Sequence, residues 1–325
     1  MAQLNLVQAV NDALRSEMQL DDRLVILGED VGVDGGVFRA TEGLLKQFGP
    51  RRVLDTPLSE VGIVGSSIGM AAYGLHPVVE VQFSGFLPPA FDQIVSHAAR
   101  IRWRSRGRYH LPLVVRAPYG GGIRSPEHHS ESPEAFYAHV GGLKVVIPST
   151  PADAKGLLIA AIRDPDPVIF LEPKHIYRAF RQEVPEGEYI LPLGRAQIAQ
   201  EGDDLSLFAW GAMTQIALAA AEELDQAGIS AEVVDLRTIS PLDAETIVAS
   251  VRKTGRALIV HEAPRQGGVG AEVAALINDK ALMSLQAPVL RVAGFDTIMP
   301  LLQLEDYYLP DAGRVVRAAR RLMTY

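Results

Sequence analysis

The segment Asp55–Glu60 carries the strongest chemical signal in this sequence, because Glu60 opens a run of small and apolar residues that extends to Ala72. That run contains no opposite charge. A carboxyl group against an apolar wall is costly to ionise and tends to keep its proton near neutral pH. Once protonated, it can donate a hydrogen bond to a ligand nitrogen, as carboxyl groups in active sites do. The structural alternative places Glu60 in the first turn of a helix that Ser59 caps.

A second candidate site follows a predicted strand, in the segment Glu80–Phe86. Ligands of open α/β sheets bind beyond the carboxyl ends of the strands. Gln82 offers an amide at such a position, and Phe86 offers a flat aromatic face. Core packing is the alternative for both aromatic residues of the segment, and for Phe83 the sequence favours it.

Two adjacent histidines follow a glycine-rich loop. His128 and His129 come after the triple glycine Gly120–Gly122, where the backbone can approach a neighbour more closely than a side chain would allow. Adjacent histidines lack the one-face spacing of a helical zinc site, and no third ligand is evident. An acid–base or orienting role for one histidine therefore competes with an ordinary exposed loop.

Two further segments carry weaker signals. Gly267–Gly270 resembles a dinucleotide-binding turn, but Val273 stands where a third small residue belongs, which favours a tight turn with close helix packing. The basic run Arg100–Tyr109 favours a solvated helix end, a partner interface or contacts to an anionic ligand. The net charge of −8 argues against general nucleic-acid binding.

The elements that must position these residues alternate between strands and helices, which predicts an α/β fold with two doubly wound domains. We expect a first domain at 1–182 with a mostly parallel sheet, a linker rich in proline, glycine and charge at 183–198, and a smaller domain at 199–325. The expected strands are 24–27, 78–81, 113–115, 144–147, 167–171, 205–210, 231–236, 256–261 and 288–292. The expected helices are 61–73, 88–102, 151–163, 215–227, 243–253, 269–282 and 311–323.

Composition limits the class of protein. A chain of 325 residues with 48% apolar side chains can bury two large cores. No apolar run reaches the ~18 residues that a membrane span needs, and the first residues carry no export signal. The absence of cysteine excludes disulfides and thiolate chemistry and fits a cytoplasmic protein.

Six ordered segments together resemble the β subunit of thiamine-diphosphate-dependent 2-oxo acid dehydrogenases. Pyruvate and branched-chain 2-oxo acid dehydrogenases belong to this family, and acetoin dehydrogenase is close to it. The segments are Gly28–Gly32, Gly36–Thr41, Asp55–Glu60, Glu80–Phe83, the triple glycine with His128–Ser130, and Gly142–Val146. The resemblance covers the whole chain and implies a pyrimidine-binding domain followed by a transketolase-like C-terminal domain.

The resemblance also implies roles for single residues. Glu60 corresponds to the carboxyl that contacts the 1′ nitrogen of the cofactor's aminopyrimidine and promotes its imino tautomer. Leu58, Gln82 and Phe86 would line the same cofactor pocket. His129 corresponds to a histidine that faces the substrate and helps in the reductive acylation of a lipoyl group. The family often has glutamine two residues later, where this chain has Glu131, a change that could alter substrate preference or lipoyl docking.

Metal sites and partners follow from the same resemblance. A structural potassium site, made largely of main-chain oxygens, would involve Leu113, Ala161, Ile162, Asp164 and Asp166. The Gly-Asp-Gly stretch and paired asparagines that hold Mg²⁺ in complete thiamine enzymes are missing here. The resemblance therefore implies an α subunit that binds the diphosphate and Mg²⁺, an α2β2 heterotetramer, and docking onto a lipoyl acyltransferase core. The β chain alone would be inactive.

Two other functions remain open from the sequence. One is a dinucleotide-dependent oxidoreductase built on the turn Gly267–Gly270, which titration with NAD would detect. The other is a non-enzymatic scaffold that recruits the acyltransferase core, which activity of the α chain alone would support. The choice among pyruvate, branched-chain 2-oxo acids and acetoin is not readable from the residues, because each methylene changes discrimination by only ~1–3 kcal/mol.

Overall fold

The computed structural model describes residues 1–325 and contains fourteen strands and twelve α-helices. The strands are β1 (Ala2–Leu4), β2 (Leu24–Gly28), β3 (Val53–Asp55), β4 (His76–Glu80), β5 (Val114–Tyr119), β6 (Lys144–Val146), β7 (Val168–Pro173), β8 (Gln182–Val184), β9 (Gln197–Gln200), β10 (Leu205–Ala209), β11 (Ala231–Asp235), β12 (Thr238–Ser240), β13 (Ala257–Pro264) and β14 (Leu290–Gly294). The helices are α1 (Leu6–Leu20), α2 (Leu44–Phe48), α3 (Glu60–Ala72), α4 (Ile101–Arg104), α5 (Glu127–Ser130), α6 (Glu134–Ala138), α7 (Pro151–Ile162), α8 (Ala212–Asp225), α9 (Ala244–Thr254), α10 (Val269–Ala281), α11 (Glu305–Tyr308) and α12 (Ala312–Leu322).

The N-terminal half forms a seven-stranded sheet in the order β12-β6-β7-β5-β4-β2-β3. All its pairs are parallel except β12 with β6. Strands β2, β5 and β7 are buried along their whole length, as expected for a parallel sheet with both faces covered. Helices α1 and α7 pack against each other over one face.

The C-terminal half forms a smaller sheet in the order β14-β13-β10-β11-β9, in which only β9 runs antiparallel to its neighbour. In this half, helix α9 has the capping residues that are common at helix ends. The side chain of Asp243 accepts a hydrogen bond at the start of α9, and Gly255 ends that helix in the left-handed conformation. The predicted α/β fold class, with a mostly parallel sheet and a smaller second domain, is confirmed.

The segment predicted as a helix over 88–102 is helical, but it is not a single regular α-helix. Pro88–Ala90 form a short 3₁₀ turn, and two α-helical residues lead into a π turn at Gln93–His97. A second 3₁₀ turn at Ala98–Arg100 then leads into the α-helical residues Ile101–Arg104. Proline lacks the backbone N–H that a continuing helix needs, and a π turn interrupts the regular hydrogen-bond ladder. The apolar spacing of the segment was compatible with all of these conformations.

The two halves are joined by more than their connection at 185–196. Strand β12 comes from the C-terminal half of the sequence and adds an antiparallel edge to the N-terminal sheet. Close by, Arg237 forms an ion pair of 2.5 Å with Asp153 at the start of α7. None of the helices combines the length and apolar character that crossing a bilayer requires.

Candidate active site

The candidate site lies where β2 and β4 end side by side. These strands are parallel neighbours, with Gly28 opposite Glu80. Glu29 and Asp30 follow β2, and Gln82 follows β4, so the sheet brings their side chains to one edge. A hydrogen bond of 3.1 Å from Gln82 Nε2 to Asp30 Oδ2 joins the two loops. The position predicted for Gln82, beyond a strand end, is confirmed.

Glu60 is the first residue of α3 and is only 8% exposed. The predicted cap is absent, because the Ser59 side chain makes no capping hydrogen bond. The Glu60 carboxyl group has no hydrogen-bond or ion-pair partner in this chain. Burial raises the pKa of neighbouring Glu29, and the charge of Glu60 raises it further. A buried carboxyl group without a partner fits a role in binding a ligand nitrogen.

An aromatic cluster surrounds His129. Its imidazole stacks on Phe83 at 4.1 Å between ring centroids and meets Phe86 edge-on at 4.8 Å. The ring of His128 lies 3.9 Å from that of His129. Gly85 allows this contact, since a Cβ there would lie 2.1 Å from the His128 carbonyl oxygen. The interpretation of Phe83 as core packing is therefore incomplete, because Phe83 forms one wall of the cluster.

His129 is suited to accept a proton. Burial lowers its pKa, and the neighbouring His128 and Lys174 lower it further, so the imidazole is neutral around pH 7. Its Nδ1 atom is buried and has no hydrogen-bond partner. A neutral, partly buried imidazole can take up a proton from a bound substrate.

The triple glycine is a binding loop for carboxylates of the C-terminal half. The backbone N–H of Gly121 donates to Glu262 at 3.0 Å, and that of Gly122 donates to Glu305. A Cβ on Gly120 would lie only 2.4 Å from Glu262 Oε1. The sequence predicted a close approach to this backbone but could not identify the approaching group.

A buried charge network below the site escaped the sequence interpretation. Arg116 in β5 donates to Glu172 at 2.6 Å and 3.0 Å, and to Glu80 at 2.9 Å. The hydroxyl of Tyr177 also donates to Glu172 at 2.6 Å. The sequence did contain a signal for this network, namely charged residues inside otherwise apolar strands. Such residues predict buried ion pairs, because buried charges need partners.

Other predicted residues lie apart from this cluster. Leu58 is 74% exposed, so its contact with a cofactor stays a prediction. At the potassium positions, Lys144 donates to Asp164 at 2.6 Å and Arg102 donates to Asp166 at 2.5 Å. The oxygens of Leu113 and Ala161 accept backbone hydrogen bonds, and Ile162 is buried beside them.

The turn Gly267–Gly270 has a packing role. A Cβ on Gly270 would lie 2.5 Å from His261 Nε2, and one on Gly268 would lie 2.7 Å from the Pro264 oxygen. The missing side chains thus make room for His261, which stacks on Trp210 at 5.3 Å. This agrees with the tight turn that the sequence favoured over a dinucleotide site.

The chain matches two family models over nearly its full length. "Transketolase, pyrimidine binding domain" covers residues 2–179, and "Transketolase, C-terminal domain" covers residues 194–315. A solved structure titled "Split gene transketolase, inactive beta4 tetramer" superposes with a TM-score of 0.81 at 25% identity and covers 99% of both chains. The fold and the two family models thus define a transketolase-like protein of the thiamine-diphosphate-dependent class.

Curated relatives narrow that class. The pyruvate dehydrogenase E1 component subunit beta of Bacillus subtilis is 55% identical over 325 residues, which is 100% of both chains. The proteins of the same description from Staphylococcus aureus and Staphylococcus epidermidis are 52% and 51% identical, again over 100% of both chains. The chain belongs to the family of 2-oxo acid dehydrogenase E1 β subunits.

Proposed function

We propose that this chain, together with an α subunit, decarboxylates pyruvate on thiamine diphosphate and passes the acyl group to a lipoyl group. The observation that carries the proposal is the buried Glu60 carboxyl group without a partner, at the position that the family resemblance assigns to the pyrimidine contact. Pyruvate is proposed because the full-length relatives are described as pyruvate dehydrogenase subunits. No feature of this chain favours a branched-chain substrate or acetoin.

In the proposed reaction, Glu60 holds a proton at the pyrimidine ring nitrogen. When bound, thiamine diphosphate supplies the electron sink that decarboxylation of a 2-oxo acid needs. Gln82 and Phe86 are proposed to border the pocket of the cofactor, and the hydrogen bond to Asp30 fixes the Gln82 side chain. In this proposal His129 moves a proton at the substrate or the lipoyl group, since burial favours its neutral imidazole, which can accept one.

The remaining ligands of the cofactor are proposed to come from the α subunit. This chain has no group of three or more His, Asp or Glu side chains arranged to hold a metal ion. Hard cations such as Mg²⁺ need several oxygen ligands. An α2β2 heterotetramer would complete the site, and its lipoyl substrate would be carried by an acyltransferase core.

The potassium site also remains a proposal. Both of its carboxylates are already neutralised, Asp164 by Lys144 and Asp166 by Arg102. The main-chain oxygens of Leu113, Ala161 and Ile162 would therefore have to supply most of the binding.

The proposal is tested with the co-expressed αβ assembly and the variant Glu60→Gln. Glutamine preserves the shape but cannot transfer a proton, so decarboxylation measured with an artificial electron acceptor should fall by at least about a hundredfold. Glu223→Gln, which removes an exposed carboxylate on α8, is the matched control and should leave the rate unchanged. The assembly is checked by size-exclusion chromatography.

Two results would contradict the proposal. Full decarboxylase activity in the Glu60→Gln assembly would remove Glu60 from the reaction. Activity of the α chain alone would reduce this chain to a scaffold. Assaying pyruvate beside 3-methyl-2-oxobutanoate and acetoin identifies the substrate, and a preference for either of the latter two would replace pyruvate.

A further inference from the structure

Lys174 is a buried cation next to the candidate site that the proposed function does not use. It follows β7 and is only 2% exposed. Its Nζ atom donates a hydrogen bond to the main-chain oxygen of His129 and lies 5.5 Å from the centroid of the Phe83 ring. That oxygen belongs to the last turn of the short helix α5, where carbonyl groups lack partners within the helix. Lys174 thus fixes the backbone of His129 and one face of the ring on which the imidazole stacks.

Two carboxylates of the C-terminal half act on Lys174. Burial lowers the pKa of Lys174 to about 8, while the negative charges of Glu262 and Glu305 oppose this shift. Both carboxylates are buried, Glu262 in β13 and Glu305 in α11. A buried ammonium group keeps its proton only if nearby charges offset the cost of desolvation. Glu262 and Glu305 therefore help to keep Lys174 charged and able to donate.

The same two carboxylates fix the loop that leads to His129. Glu262 accepts from the backbone N–H of Gly121 at 3.0 Å, and Glu305 accepts from that of Gly122. Beyond the histidines, the N–H of Gly120 donates to the Glu131 oxygen at 3.1 Å. The turn that carries His129 is thus held on both sides by groups that depend on the C-terminal domain.

We infer that Lys174 is a positioning residue for His129, and that Glu262 and Glu305 hold Lys174 and the glycine loop, so that the C-terminal domain sets the orientation of the imidazole. This inference rests on the proposed role of His129 in lipoyl acylation. Lys174 is not itself a catalytic residue, because its ammonium group is committed to a backbone oxygen. Loss of Lys174 should therefore impair acyl transfer, the step that uses His129. It should have little effect on decarboxylation, the step that uses Glu60.

The test compares two partial reactions of the αβ assembly. Decarboxylation of pyruvate is measured with an artificial electron acceptor, and acyl transfer is measured with a free lipoyl domain. Lys174→Met removes the hydrogen-bond donor to the His129 backbone. We expect the ratio of acyl transfer to decarboxylation to fall about tenfold or more, because a misplaced catalytic group reacts slowly. Lys174→Arg keeps a charged donor and should recover part of that loss.

Glu305→Gln is a second variant, in which the side chain keeps almost the same shape. It tests the inference even if the Lys174→Met assembly does not form. The titratable groups that face Lys174 are Glu262, Glu305 and His129. Without the charge of Glu305, Lys174 loses its proton more readily. The ratio of acyl transfer to decarboxylation should therefore decline at a lower pH in Glu305→Gln than in the wild type, a shift that a purely structural defect would not cause.

Asp306→Asn is the matched control. Asp306 is the next residue, but it is exposed and pairs with Arg124 on the surface. It should leave the ratio and its pH dependence unchanged. Equal losses in both partial reactions, or an unchanged ratio in Lys174→Met and Glu305→Gln, would overturn the inference. An inactive wild-type assembly would instead contradict the proposed function, so the two failures are distinguishable.

Discussion

Arg116 is a fully charged side chain with only 1% exposure, and carboxylates on both sides compensate its burial. Burial by itself would lower the pKa of Arg116, but the charges of Glu172 and Glu80 raise it above its ordinary value. Burial raises the pKa of Glu80, although the charge of Arg116 partly offsets this. Glu60 is the opposite case, since it is buried with no partner in the chain. The charges of Arg116, Glu80 and Glu172 thus compensate one another, whereas the Glu60 carboxyl group is left without a partner in this chain.

This difference predicts the effect of Arg116→Met. The substitution leaves Glu80 and Glu172 buried beside each other without a cation, which should lower the free energy of unfolding by about 3–5 kcal/mol. Arg124→Met, which breaks the exposed pair with Asp306, should change it by about 0–1 kcal/mol. Urea unfolding of both variants measures the two effects. Equal costs would show that the buried network is not a source of stability.

At the scale of elements, the loop Gly120–Gly122 depends on a backbone that only glycine adopts easily and on the absence of Cβ atoms. Gly120 has a φ of +80° and Gly122 a φ of +94°, both in the left-handed region. Gly120 also packs directly against the Glu262 carboxylate. The conformation of the loop therefore depends on contacts with carboxylates of the C-terminal half.

A pair of glycine variants separates the cost of the left-handed backbone from the cost of a Cβ atom that collides with a neighbour. Gly107 has a φ of +78°, close to that of Gly120, but a Cβ there would meet no atom within 4 Å. Gly107→Ala should cost only about 1–2 kcal/mol of backbone strain. Gly120→Ala adds a collision with Glu262 and should cost clearly more, with a loss of lipoyl acylation in the αβ assembly. Thermal unfolding checks the first effect, and similar costs for the two variants would contradict the close packing.

At the scale of the whole molecule, buried acids lie between the two domains. Glu134 opens α6 in the N-terminal half and accepts a hydrogen bond of 3.3 Å from Trp210 Nε1 in the C-terminal half. Burial raises the pKa of Glu134 to about 8, and the charge of Glu262 adds to this effect. Its Oε2 atom has no partner. The interface therefore favours the protonated acid at neutral pH.

This burial predicts how stability depends on pH. Between about pH 4.5 and pH 8 the folded chain keeps the proton of Glu134 while the unfolded chain releases it, so stability falls as pH rises through this range. Glu134→Gln should remove roughly 4 kcal/mol of that decline. Thermal unfolding at pH 5, 7 and 9 measures it, with Glu223→Gln as an exposed control. A variant whose stability declines as steeply as the wild type would contradict the protonated state.

The sequence was most informative where a signal is local. Runs of β-branched residues located the central strands, since a strand buried on both faces must be apolar along its length. Glu60 could be singled out because it is the one charged residue in a run of small and apolar residues. The long helices ended close to the predicted residues. The short strands β1, β3, β8, β9 and β12 were missed because three or four residues carry no readable period.

Only the tertiary structure showed the contacts between residues that lie far apart in the sequence. The sequence by itself determined an α/β chain with two domains, a carboxyl group in an apolar setting and a histidine near a glycine loop. It could not show that β12 crosses into the other sheet, that Phe83 stacks on His129, or that Glu262 and Glu305 bind the glycine loop from more than 130 residues away. The physical reason is that partners of buried charges and rings are set by packing between elements, and packing leaves no periodic trace in the sequence.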